Sequence, residues 1–299
     1  MIEVDTIQYF TSPNNKTRSK NDTNNKYREE ILKNINNIDK SFYDDEKYGN
    51  DWINLIFNFN KIIKTIAPPL YKGFNIIHKA GRSHNYDYII QFLDETQNVL
   101  GEQKLEFKYN AETISDTPQF VSPMFPSQYL SKSFEEYFYD NYIHLLCEPN
   151  HLPIPEKEIY VKTIHNNKPK CMEEAQLLYY QGCKQSSKYT NESKAIEFYN
   201  ICNQYSRECI KQFIHTTDLY INKLNDYLQK SQEEKTYLLY KNGGFRIQKQ
   251  SKDDYTIIEY KKNPEKYRYE AITKSNKKIN ILLRWKNGNG IAYPAFQIS

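Results

Sequence analysis

Residues 87–108 read DYIIQFLDETQNVLGEQKLEFK. Two apolar runs flank a polar stretch, the pattern of a β-hairpin. Alternate residues of a strand share a face. Leu105, Phe107 and Tyr109 therefore oppose Glu102, Lys104, Glu106 and Lys108. With a turn centred on Gln97-Asn98, Thr96 pairs with Val99, Ile89 lies opposite Glu106, and Asp87 opposite Lys108. Directly paired residues share a face, so Asp87, Glu106 and Lys108 meet at the open end of the hairpin. A two-residue slip of register preserves that meeting, and a one-residue slip destroys it.

Two carboxylates beside a lysine suit metal-assisted phosphodiester hydrolysis. Mg²⁺ takes oxygen ligands and keeps several waters, so one or two carboxylates hold it. The ion acidifies a bound water and offsets phosphate charge. A lysine beside it can orient or deprotonate that water and stabilise developing negative charge.

Upstream, residues 1–26 are expected to be a flexible N-terminal segment, because 11–26 is polar and without periodicity. A helix is expected from Tyr27, with Ile31, Ile35 and Ile38 at helical spacing. A second runs from Asp51 and ends at Pro68-Pro69, and a strand spans Phe74 to Ala80. Downstream, Ser133 caps a helix with Glu136 at capping-box spacing. Glu158 to Ile164 reads as a short strand. Residues 172–228 read as helical, interrupted at Gly182 and around 186–191. After Asn242-Gly243-Gly244, strand-like segments follow one another to the end. They form a separate β-rich module or add strands to the first sheet.

The spacing of Asp87 and the triplet Glu106-Phe107-Lys108, with eighteen residues between them, resembles the PD-(D/E)xK nuclease superfamily. So does the order helix, strand, strand with the acid, strand with Glu-x-Lys, over roughly residues 27–128. Tyr86 stands where the motif name carries proline, and equivalent triplets occur elsewhere in the chain, Glu102-Gln103-Lys104 among them. The resemblance implies an α/β fold, a restriction-endonuclease-like mixed central sheet flanked by helices. The domains expected are 27–235 as the core with a helical extension and 236–299 as a β-rich C-terminal module. It also implies Mg²⁺ as cofactor, Asp87 and Glu106 as metal ligands and Lys108 as catalytic lysine. A further acid from the first helix is placed at Glu30, with Glu29 beside it. A glutamine after the third strand is placed at Gln119 or Gln128.

For binding nucleic acid, Lys79, Arg82 and His84 make a basic edge next to the site, and Arg284 and Lys286 flank Trp285 before a glycine turn. The partner expected is double-stranded DNA, with a homodimer compatible. The alternatives are a non-catalytic nucleic-acid-binding protein on the same scaffold and an RNA endonuclease. A net charge of +4 names no partner by itself. Five cysteines without a CxxC pair support neither a disulfide framework nor a zinc site. The start MIEVDTIQYF lacks a basic region followed by an apolar core, and no apolar run reaches the ~20 residues that span a bilayer. A soluble intracellular protein, cytoplasmic or nuclear, is expected.

Overall fold

The computed structural model describes residues 9–12, 18–79, 84–116, 119–120, 126–164, 170–285, 291 and 294–298. The chain is mixed α/β. Its elements begin with α1 (Arg18–Lys33), α2 (Gly49–Lys64), β1 (Gly73–His78), β2 (Tyr88–Leu93), β3 (Val99–Tyr109) and β4 (Gln119–Phe120). Helices follow: α3 (Phe134–Phe138), α4 (His144–Cys147), α5 (Lys157–Thr163), α6 (Glu173–Gly182), α7 (Ser193–Thr216) and α8 (Ile221–Glu233). The remaining strands are β5 (Thr236–Lys241), β6 (Gly244–Gln248), β7 (Ile257–Asn263), β8 (Arg268–Thr273), β9 (Lys278–Trp285) and β10 (Pro294–Ile298).

The chain divides into two compact units, each built from two stretches of sequence. Met1–Thr117 joins Lys230–Lys252, and Pro118–Gln229 joins Asp253–Ser299. This differs from the expected boundary at 235/236, and the strands explain why. Residues 236–248 pair into the first unit's sheet, while β7 to β10 build a sheet of their own with β4. The C-terminal strands are thus shared between the two alternatives the sequence left open.

The first unit holds a sheet ordered β1-β2-β3-β5-β6, antiparallel except for β3 and β5, which run parallel. The residues of β5, Thr236 to Tyr240, are buried in succession, as expected of a strand covered on both faces. Leu238 and Tyr240 join one core, and Tyr237 and Leu239 pack with Ala111 and Ile114 in another cluster. The β5–β6 hairpin turns at Asn242 and Gly243, with φ of 50° and 84°. Positive φ at both turn positions is what a two-residue hairpin favours, and Asn-Gly tolerates it.

Helix α2 buries Trp52, Leu55, Phe59 and Ile63 at helical spacing. Helix α1 starts at Arg18, nine residues before the expected Tyr27, so 18–26 are helical rather than flexible. Arg28 secures it from the buried side. Its guanidinium lies 3.5 Å from the Tyr109 ring centroid and donates to the Phe10 carbonyl at 3.3 Å and to the Ser12 carbonyl. Phe10, fully buried, meets Tyr240 edge-on at 4.7 Å between ring centroids.

In the second unit Ser133 caps α3, accepting from the Glu136 amide at 3.2 Å as the capping pattern predicts. The expected strand at 158–164 is instead α5. Its buried residues Tyr160 and Ile164 lie four apart, one helical turn rather than an alternation. Gly182 does end a helix, and a Cβ there would collide with the Ala195 carbonyl oxygen on α7. Gly182→Ala therefore forces α6 off α7. The expected result is a loss of about 1–3 kcal/mol, read as a lower thermal midpoint. A midpoint unchanged from wild type would mean that this approach is not a close one.

Candidate active site

Asp87 sits one residue before β2 and is fixed on three sides. Its amide donates to the Leu105 carbonyl at 2.9 Å, and its carbonyl accepts from the Lys79 amide at 2.7 Å. Its carboxylate Oδ2 accepts from the Phe107 amide at 2.8 Å. The side chain thus takes over the hydrogen bonding where the β2–β3 ladder ends.

The observed register pairs Tyr88 with Leu105 and Ile89 with Lys104. Extended by one residue, it sets Asp87 beside Glu106 rather than Lys108. This is the two-residue slip that keeps the shared face. Its source is the turn, which is longer than two residues. Asp94 Oδ1 accepts from the amides of Thr96 and Asn98, and a bulge lies just before it at Phe92/Leu93. On the opposite face, Leu105 and Phe107 are buried.

Glu106 lies between two lysines. Lys108 Nζ donates to its Oε1 at 2.5 Å, and Lys235 Nζ stands 3.7 Å from its Oε2. The side chains of Glu106 and Lys108 retain 14% and 18% of their exposure, that of Lys235 only 3%. The acid from α1 that interacts with this group is Glu29, not the expected Glu30. Glu29 bonds His78 Nε2 at 3.2 Å. Glu30 pairs with Lys33 at 3.1 Å and lines a separate cleft with Asn34, Asp39 and Trp52.

The electrostatics bring these acids together. Burial, and then the negative charges of Glu106 and Glu29, push the Asp87 pKa up from 3.8 to about 7, against the Phe107 amide and Lys108. Burial and Glu106 likewise raise Glu29 from 4.5 to about 6, against Lys108 and Lys26. Lys235 is lowered, chiefly by burial and opposed by Glu106. Mutual repulsion of carboxylates under partial burial is the pattern that a divalent cation relieves. Among the described residues no three His, Cys, Asp or Glu side chains already form a set that could hold a metal ion. The donor chemistry nonetheless fits Mg²⁺, which needs few protein ligands and keeps its waters. Asp87 and Glu106 would hold it, with Glu29 nearby.

The expected basic edge is only partly present. Lys79 reaches Asp87 through its backbone, and the His84 ring packs 5.3 Å from that of Tyr86. Arg82 and Lys286 lie outside the described residues. Gln119, Gln128 and Arg284 belong to the second unit, whereas the acids belong to the first. The rival triplet is engaged elsewhere, Glu102 with Gln91 at 2.6 Å and Lys104 with Glu234 at 4.0 Å. One residue of the cluster, Lys235, went unread in the sequence, and Glu29 stood there only as the second choice after Glu30. The signal for Lys235 was the continuous apolar run that follows it, since TYLLYK has the look of a strand buried on both faces.

No protein-family model matches the chain, and no curated protein matches its sequence. Among the described residues no helix is long and apolar enough to cross a membrane.

Raised acids have a stability consequence. Folding favours the protonated forms of Asp87 and Glu29, so this contribution is complete below their ordinary values of 3.8 and 4.5. It is lost as pH rises through about 6 and about 7. In EDTA, the thermal midpoint is expected to fall across that window, and Asp87→Asn should flatten the fall. Mg²⁺ added above the window should restore the midpoint. A midpoint that stays level across the window would contradict the electrostatic assignment.

Proposed function

We propose that the chain is a Mg²⁺-dependent nuclease that hydrolyses phosphodiester bonds, with duplex DNA as substrate in the manner of restriction-like endonucleases. The observation that carries this reading is the convergence of Glu29, Asp87 and Glu106 with Lys108 at one end of β2 and β3, with Glu29 and Asp87 both raised by burial and then by the charge of Glu106. The order α1, α2, β1, β2, β3, followed by β5 parallel to β3, supports the resemblance to the restriction-endonuclease-like core.

Bound between Asp87 and Glu106, Mg²⁺ would supply Lewis acidity toward phosphate and water. Asp87 Oδ2 accepts from the Phe107 amide, which fixes the carboxylate, and Oδ1 would be the oxygen offered to a ligand. Lys108 is the lysine with solvent access, and once released from Glu106 its ammonium orients the attacking water and stabilises negative charge developing on the phosphate. A homodimer, common to enzymes that cut both strands, is part of this proposal.

A non-catalytic nucleic-acid-binding protein is the second reading, favoured by the engagement of Glu106 by both lysines. Plasmid cleavage separates the two. With Mg²⁺ the wild type should nick or linearise DNA, and EDTA should stop it. Asp87→Asn, Glu106→Gln and Lys108→Ala should each slow cutting by about 100-fold or more. Variants cutting at the wild-type rate would remove the site assignment. Binding that persists in EDTA, with no cutting under any metal, would establish the second reading. A preference for single-stranded RNA would make the enzyme an RNA endonuclease.

A further inference from the structure

Lys235 is the last residue before β5, and a lysine is seldom so buried unless paired. Two contacts account for it. Its ammonium donates to the Asn85 carbonyl at 2.8 Å and stands 3.7 Å from Glu106 Oε2. Four residues earlier, Ser231 accepts from Asn85 Nδ2 through both its carbonyl and its hydroxyl, each at 2.9 Å. Residues 231–235 therefore grip Asn85, two positions before Asp87, and reach Glu106 as well. They lie more than a hundred residues along the chain from the acids they hold.

We infer that Lys235 is a positioning residue of this site, fixing the direction of the Glu106 carboxylate and, through Asn85, the placement of Asp87. The inference rests on the nuclease reading and extends it. With 3% of its side chain exposed, Lys235 does not touch substrate, whereas Lys108 can. The two lysines divide the work: one holds Glu106 Oε2 from inside, the other faces solvent from Oε1. Parallel pairing of Leu105 with Thr236, carried back one residue, sets Lys235 beside Lys104, on the face of β3 that carries Glu106 and two positions before it. The first unit's site is then incomplete without the returning segment.

Lys235→Met keeps the length and apolar stem of the side chain and removes its charge. Two changes of opposite sense are expected from it. Turnover on duplex DNA should fall about tenfold or more with KM unchanged, because the acids lose their orientation. Ca²⁺ affinity, read by calorimetry without chemistry, should tighten about threefold or more, because a fixed positive charge no longer competes for the acids. Lys235→Arg should return both values toward wild type. A folded Lys235→Met protein with turnover and Ca²⁺ affinity both within about twofold of wild type would overturn the inference. So would a joint loss of turnover, affinity and thermal midpoint, which marks a purely structural lysine. Wild-type protein that binds Ca²⁺ but cuts no nucleic acid would defeat the nuclease reading alone, leaving the Ca²⁺ comparison to decide on Lys235. Wild-type protein that does neither would defeat both.

Discussion

The hydrogen bond from the Phe107 amide to the Asp87 carboxylate, 2.8 Å long, holds the candidate site together. It forms where β2 stops and β3 continues, so it spares a strand amide the cost of losing its partner. It also commits an acid to the site's interior. With the Asp87 amide bonded to Leu105 and its carbonyl to Lys79, the residue cannot turn away. Everything else at the site is arranged around a carboxylate that the backbone has locked in place.

Locking one acid there makes the next one expensive. Glu106 shares its face and Glu29 adds a third charge, so burial and repulsion raise both Asp87 and Glu29. The protein offsets this with Lys108 and Lys235 on opposite oxygens of Glu106. Even with both lysines in place, Asp87 and Glu29 stay raised, so their ionisation remains unfavourable. That cost is what the proposed divalent cation would relieve. The same arrangement explains the second unit's place in the chain order. The sequence leaves the first unit after Thr117 and returns at Lys230, and the returning stretch delivers both Lys235 and the interior strand β5.

What could be read from residues alone followed local periodicity. The hairpin, the shared face of Asp87 and Glu106, the apolar stripe of α2 and the Ser133 cap all depend on near neighbours. The turn defeated a two-residue reading because Asp94 organises a longer one, yet strand alternation carried the shared face through the resulting slip. Tertiary context decided the rest. Residues 18–26 look featureless, and their helix is held through Arg28 and the buried Phe10. Glu29 and Glu30 are adjacent and chemically alike, and only the packing angle of α1 selects between them. The apolar run after Lys235 marks a buried strand, but which acid the lysine meets depends on the parallel pairing of β5 with β3, made across more than a hundred residues of sequence.

A crystal of the protein soaked in Mn²⁺ and measured at the manganese edge tests the central claim most directly. An anomalous peak is predicted between the carboxylates of Asp87 and Glu106, with Lys108 displaced from Glu106 Oε1. Occupied or not by other ions, crystals that show no peak there, with Glu106 still held by Lys108 and Lys235, would contradict a metal-binding role for these acids.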